Sequence, residues 1–210
     1  MKLTIFGATG ETGRLLTQQA LAKGHEIVAY ARNPAKLGIQ DSRLKIVQGE
    51  LDNQAAIEEA IRGSEAVISV LGPMGASKGL PISKGMQNIL RAMRKYGVKR
   101  IIATATPSAA DLQDSFDLKF KLAVLMIKVL IPSAYQDIVK TAEAIRATDL
   151  DWTIVRLPLL NSKPKQGKVN TGYLGEGKVN LALSRTDLAD FLLARLDDNT
   201  FIRKAPAISN

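Results

Sequence analysis

Near the start of the chain, the stretch TIFGATGETG (residues 4–13) sets Gly7, Gly10 and Gly13 three residues apart, with Thr9, Glu11 and Thr12 between them. A plain strand-to-helix turn needs one or two glycines. Three within seven residues imply a backbone that leaves room for something. Where an apolar run hands over to a helix, the free N–H groups and the positive end of the helix dipole favour an anion such as pyrophosphate. In that arrangement Gly7 allows the turn, Gly10 the close approach of a ligand, and Gly13 the tight packing of helix on strand. Thr9 and Thr12 add hydroxyl donors beside Glu11. The chemistry expected here is dinucleotide binding.

The elements that must position this motif alternate in period. Apolar, β-branched runs at 2–6, 25–31, 43–49, 65–72, 98–106 and 151–158 read as strands. Between them, helical spacing starts at Glu11 and recurs over 53–63 and 83–97, with glycines at the C-terminal ends. Residues 116–131 and 135–147 read as two helices separated by Pro132. The Gly- and Lys-rich segment 163–180 reads as a loop with a short hairpin. A last helix spans 185–198, with Ser184 or Thr186 as its N-cap. Such alternation specifies an α/β fold, a doubly wound parallel sheet with helices on both faces. No repeat or composition break divides residues 1–210, so a single domain is expected.

The spacing G-x-x-G-x-x-G in GATGETG resembles that of extended and atypical short-chain dehydrogenase/reductases. More closely it is similar to the NAD(P)H-binding subgroup that includes biliverdin reductase B (flavin reductase) and NmrA-like proteins. ARNPAKL, VQGELDN, AVISVLG, GMQNILRAMRKYGVKRIIATAT and KTAEAIRATDLDWTIVRLP follow in the order of that family, over almost the whole chain. The resemblance implies a Rossmann-type fold and a nicotinamide cofactor. At the end of the second strand an acidic residue would bind the ribose 2′-hydroxyl of NAD. Here YARNPAK places Arg32, then Lys36, and no acid. A guanidinium suits a 2′-phosphate, so the expected cofactor is NADP(H); the plain alternative is two surface charges. The resemblance further implies contacts at strand ends. Glu50 and Leu51 would flank the adenine, and Leu71 and Gly72 the ribose and pyrophosphate. Thr104 to Thr106 would border the nicotinamide, as would Leu157, Pro158 and Leu159.

Groups for acid–base chemistry are sparse. The Tyr-x-x-x-Lys pair of the wider superfamily is missing, since Tyr135 and Lys140 are five apart. On a helix that separates them by about 140°. By resemblance, Lys140 in KTAE would face the nicotinamide ribose, and Thr106 takes the place of a serine at the end of the fifth strand. These two are the candidate catalytic residues, with Ser108 as a neighbouring alternative. Each has an ordinary structural reading too, Lys140 as a solvated lysine. His25, the one histidine, precedes the second strand at the far end from the expected site, where a structural role is expected. With no Cys and one His, no metal site is expected.

Walls for a second substrate are expected from 73–81, 107–134 and 157–180. Met74, Leu112, Phe116, Phe120, Leu125 and Tyr173 are apolar candidates, though such residues are more often core. Lys119, Lys121, Lys163, Lys165 and Lys168 would suit an anionic acceptor, or equally a solvated surface. Lys plus Arg (29) exceed Asp plus Glu (20), for a net charge of +9. That excess favours anionic partners. Nucleic acid is the weaker reading, because RAMRKYGVKR (91–100) lacks interleaved stacking aromatics. The most apolar run, Leu122–Ile131, is interrupted by Lys128 and too short to span a bilayer. With no targeting segment, a cytoplasmic protein is expected, monomer or homodimer. The function expected is NADPH-dependent hydride transfer to a small conjugated acceptor of flavin, quinone or tetrapyrrole type. The alternative is a non-enzymatic NADP(H) sensor or assembly factor.

Overall fold

A computed structural model describes residues 1–73, 75 and 79–210. The chain runs β1 (Lys2–Phe6), α1 (Glu11–Ala22), β2 (Glu26–Ala31), β3 (Leu44–Gln48), α2 (Gln54–Ile61), β4 (Ala66–Ser69), α3 (Pro81–Lys95) and β5 (Arg100–Ala105). It continues with α4 (Leu118–Leu130), α5 (Pro132–Arg146), β6 (Asp151–Arg156), β7 (Leu159–Asn161), β8 (Asn170–Gly172), β9 (Ala182–Ser184), α6 (Arg185–Ala194) and β10 (Ala207–Ser209). The main sheet has the order β3-β2-β1-β4-β5-β6-β10-β8, and β7 pairs separately with β9. All neighbours in the main sheet are parallel except β10 and β8. Strand order reverses between β1 and β4, and at such a switch point a crevice opens at the carboxyl ends of the strands.

Alternation along the strands builds two cores, one on each face. Leu3 and Ile5 pack with Leu16 of α1 and Leu188 of α6. Phe6 points the other way, toward Ile57 of α2, Ile89 of α3 and Ile145 of α5. Thr4 is fully buried on that same face, where its hydroxyl donates to the Ala60 carbonyl at 2.7 Å, so no polar atom is left unpaired. Helix starts carry local signals. Asn53 accepts from the Ala56 N–H at 3.1 Å, and Asp117 from the Lys119 N–H at 2.9 Å. Ser184, rather than Thr186, caps α6 by accepting from the Thr186 N–H at 3.2 Å.

The second half corrects several expectations. Pro132 opens α5 at its first turn, where its missing N–H costs nothing, rather than spacing two helices apart. Segment 163–180 forms no hairpin of its own: β8 pairs antiparallel with β10, which brings Thr171 opposite Ile208. β10 has only three residues and no turn signal of its own, so its pairing partner, not its composition, makes it a strand. The last helix ends at Ala194, four residues short of the expected 198.

One carboxylate holds this region together. Asp187 of α6 accepts from the N–H groups of Gln166 and Gly167, both at 2.9 Å, and from Asn210 Nδ2 at 3.1 Å. Burial acts to raise its pKa, but these donors outweigh it and hold the group below the ordinary 3.8. A depressed folded-state pKa means a contribution that is complete above the unfolded value and is lost as pH falls through the folded one. Acid titration should therefore loosen 163–180 first. Amide exchange at Gln166 and Gly167 should accelerate below about pH 4 while exchange in β1 stays protected.

Candidate functional site

The glycine motif takes the conformation its spacing implies. Gly7 has φ +84°, a left-handed value that disfavours a side chain, and its Cβ would meet the Val70 carbonyl at 3.0 Å. Gly13 is tighter still. A Cβ there would lie 2.1 Å from the Gly7 oxygen and 2.7 Å from Ala8 Cα, so α1 rests directly on the end of β1. Gly10 differs from both, since its Cβ would meet only the Gly7 oxygen at 3.5 Å. It is the N-cap of α1 and makes no side-chain cap bond, which leaves the first-turn N–H groups open. A cradle with two crowded glycines and one open one fits the pyrophosphate of a dinucleotide.

Beside it lies a cleft of about 220 Å³, lined from Thr12, Val70 to Pro73, Thr104 to Thr106 and Leu157 to Pro158. Ile82, Ile138, Thr141, Leu160 and Leu188 complete the wall. The sheet register explains the convergence: Phe6 lies opposite Ser69, Ser69 opposite Ala103 and Ala103 opposite Ile154. β1 and β4 thus end at one level and β5 and β6 run two residues further, so the carboxyl ends of all four strands border one space. Leu71, Gly72, Thr104, Thr106, Thr12 and Pro158 are brought together as the sequence implies.

Other expected residues sit elsewhere. Leu159 is 77% exposed, and Leu160 lines the cleft in its place, because neighbours on a strand point to opposite faces. Lys140 is exposed on α5, whose Ile138 and Thr141 line the cleft instead. Thr9 is half-buried and Glu11 exposed; the latter pairs with Arg185 at 3.0 Å. Arg32 follows β2 and Lys36 lies in a short 3-10 turn, both exposed. Arg32 Nε stands 3.9 Å from a Glu50 carboxylate oxygen. Leu51 packs on α3, where a Cβ on Gly85 would come within 2.7 Å of its own. Ser108 is buried outside the cleft lining, its hydroxyl without a partner among the described residues, and its N–H donates to Thr106 Oγ1 at 3.3 Å. His25 lies at the opposite sheet edge; burial first, then the N-terminal ammonium, pushes its pKa below 6.5. Tyr135 stacks under the Lys128 ammonium at 5.7 Å.

Among the described residues, the apolar candidates for a second substrate do not line the cleft. Leu112, Phe116 and Leu125 are exposed, while Phe120 is buried with Leu174, Val179 and Ala207. Tyr173 accepts from Gln113 Nε2 at 3.0 Å. Lys119 and Lys121 lie on exposed α4, and Lys165 pairs with Asp190. Met74 lies outside the described residues.

Two fully buried charges, Arg156 and Asp137, flank this region. Arg156, fully buried on β6, forms a two-pronged pair with Asp114 at 2.5 and 2.7 Å and donates to the Ala205 carbonyl at 2.7 Å. Asp114 also accepts from the N–H groups of Asp111 at 2.8 Å and Leu174 at 3.1 Å. It thereby ties the loop after β5 to the loop after β8. The available signal is an arginine that closes the strand DWTIVR directly after the apolar pair Ile154 and Val155, and such a group must find a partner when buried. Asp137 of α5, also fully buried, accepts from the N–H groups of Ser83 at 2.7 Å and Ile82 at 3.1 Å. It caps α3, whose own N-cap is Leu80 in a left-handed conformation with no side-chain acceptor to offer. Ile82, so held, borders the cleft.

A doubly wound sheet that opens on a crowded glycine turn and an uncapped helix N-terminus defines a dinucleotide-binding protein. The chain belongs to the NAD(P)H-binding family, whose model matches residues 7–199. Among its relatives, the phenylcoumaran benzylic ether reductase of Ginkgo biloba is 29% identical over 97% of this chain and 67% of its own length. The tetraketide alpha-pyrone reductase 1 of Arabidopsis thaliana is 27% identical over 58% of this chain and 42% of its own. The match thus spans less than half of the Arabidopsis reductase's own length. A short-chain dehydrogenase/reductase from Veillonella parvula, solved in complex with NADP, has the same fold, with a TM-score of 0.80 at 20% identity over 100% of this chain and 94% of its own. The anaerobillin reductase of Escherichia coli O157:H7 superposes with a TM-score of 0.74 at 17% identity, over 100% of this chain and 97% of its own.

Proposed function

We propose that the protein is an NADPH-dependent reductase of a small, planar, conjugated acceptor of flavin, quinone or tetrapyrrole type, working in the cytoplasm. The observation that carries this reading is the chemistry of the cleft. Among the described residues, its lining consists of aliphatic side chains, prolines, one glycine and the hydroxyls of Thr12, Thr104, Thr106 and Thr141, with no titratable group. Such walls orient a flat apolar partner and exclude water, but offer no acid or base. Bound NADPH would supply a hydride. An acceptor that stabilises the added electrons by conjugation, and takes its proton from water, needs only orientation from the protein. Thr104 and Thr106 would hold the nicotinamide carboxamide or the acceptor by hydrogen bonds, and Gly10 and the α1 N-terminus would hold the pyrophosphate. Lys140 would reach the nicotinamide ribose from the rim rather than the floor. Leu159 would contact the cofactor only from the cleft mouth.

Arg32 and Lys36 carry the preference for a 2′-phosphate, with Glu50 as the opposing charge. Arg32→Ala should weaken NADPH binding about 10- to 100-fold and leave NADH binding nearly unchanged. Glu50→Gln should shift the balance further toward NADPH. Fluorescence titration with both cofactors checks this, and equal losses for the two would remove Arg32 from the 2′-phosphate site. For the reaction, NADPH oxidation is followed with FMN, biliverdin and a benzoquinone as acceptors. Turnover with one of them is the expected result. Tight NADPH binding with none across the panel would sink the reductase reading.

A second reading rests on the same cleft and on a relative's name. A photosystem II assembly factor of Synechocystis is 26% identical over 75% of this chain and 44% of its own length. A protein that binds NADP(H) without turnover, and holds a partner differently in the two states, would have no use for an acid or base.

A further inference from the structure

Only Phe120 of the thirteen residues of α4 is buried. Leu118, Leu122, Leu125, Met126, Val129 and Leu130 are 52–70% exposed. At 100° per residue, the first five fall within an arc of about 100° and Leu130 adjoins it, while Phe120 points the opposite way. The outward stripe is therefore continuous along the whole helix. Lys119 lies on one rim of the stripe, and Lys121 and Lys128 on the other. No acidic residue occurs between Leu118 and Leu130. Just before the helix, Phe116 is 69% exposed, with the Lys121 ammonium 4.4 Å from its ring centroid. None of these residues lines the cleft. The stripe is not needed by the core or by the cofactor site, yet an apolar surface of this continuity is costly to leave in water.

We infer that α4 is a docking element for an anionic lipid surface, lying in the plane of the headgroups with its apolar stripe inserted. Charge decides between occupants. A second copy laid on this face would bring six lysines together with no carboxylate on either helix to meet them, in a chain whose net charge is +9. Anionic headgroups complement both rims at once. The lysine stems can lie along the apolar boundary while their ammonium groups reach the phosphates. At thirteen residues α4 is too short to cross a bilayer, and α5, which follows it at a bend of 116°, buries its own inner face against the sheet. Attachment from one side is the arrangement that this geometry permits.

Flotation of the full chain with vesicles tests the inference. Vesicles of phosphatidylcholine alone are compared with vesicles that also contain phosphatidylglycerol, at low and high salt. Binding to the anionic vesicles should be at least about tenfold stronger and should fall with salt. The variant L122Q/L125Q/M126Q/V129Q should lose binding to both. K119Q/K121Q/K128Q should lose the preference for anionic lipid by about tenfold. Because the altered side chains face outward, the unfolding midpoint and NADPH affinity should match the unaltered chain, which separates lost docking from lost fold. Absent or salt-independent binding overturns the inference. So does a dimer, seen by sedimentation, that the four-residue variant disperses while no vesicle binding is found. The outcome does not depend on whether the cleft reduces any acceptor.

Discussion

Asp114→Ala is expected to destabilise the protein by about 3–5 kcal/mol, the usual effect of stripping one partner from a buried ion pair. Arg156 is fully buried, so the variant would leave its guanidinium with the Ala205 carbonyl as its remaining close partner. The loss extends beyond the pair, because Asp114 also takes the N–H groups of Asp111 and Leu174. Urea unfolding should show the lower midpoint. Replacing both members, Asp114→Leu with Arg156→Met, should recover much of the loss, since no uncompensated charge remains. If the double variant is as unstable as the single one, the cost lies in the loop backbone rather than in the charge. The pair also has a pH signature. Burial would raise the Asp114 pKa, but Arg156 and the backbone donors outweigh it and hold the group below the ordinary 3.8. Its contribution is therefore complete above about pH 5 and is lost as pH falls through the lowered value. The Asp114→Ala variant should show a flatter acid limb than the unaltered chain.

Gly13→Ala is the second large effect. Its methyl would lie 2.1 Å from the Gly7 oxygen and 2.7 Å from Ala8 Cα, both backbone atoms that no rotamer change can move. Helix α1 would have to lift from β1. The expected cost is about 3 kcal/mol, at the upper end of overpacking, together with a loss of NADPH affinity of about 100-fold or more as the helix N-terminus shifts. Gly10→Ala provides the contrast. Its methyl meets only the Gly7 oxygen at 3.5 Å, so the unfolding midpoint should hardly change. Gly10 is the N-cap of α1, so the added methyl would stand beside the N–H groups expected to hold the pyrophosphate. Affinity for NADPH should fall while stability holds. Thermal unfolding and cofactor titration on the two variants separate the glycine that packs from the glycine that admits the ligand. An unchanged affinity in Gly10→Ala would place the pyrophosphate elsewhere.

Much of this protein was determined by local sequence alone. The first six strands and the glycine turn follow from runs and spacings within ten or fifteen residues, and such signals survive without knowledge of what packs where. The resemblance to an NAD(P)H-binding family rests on the same segments, and the family match spans residues 7–199. Thr12, Leu71, Gly72, Thr104 and Thr106 could be placed at the cleft because each lies at or just past a strand's carboxyl end or in the first turn of a helix, and the parallel sheet brings those ends to one edge.

What the tertiary structure decided involves partners far apart in the chain. Asp114 meets Arg156 across 42 residues, and Asp137 caps α3 from 54 residues away. No window of sequence contains both halves of either pair. β10 is a strand only because β6 and β8 offer their edges. Which of Leu159 and Leu160 enters the cleft depends on the register of β7 with β9, and a one-residue slip would exchange them. α4 shows the same limit in reverse. LKFKLAVLMIKVL contains enough apolar residues for a core helix, and composition gives no hint that only Phe120 would be covered. Whether an apolar side chain is buried depends on what is packed against it, and that is a property of the assembled fold rather than of the segment.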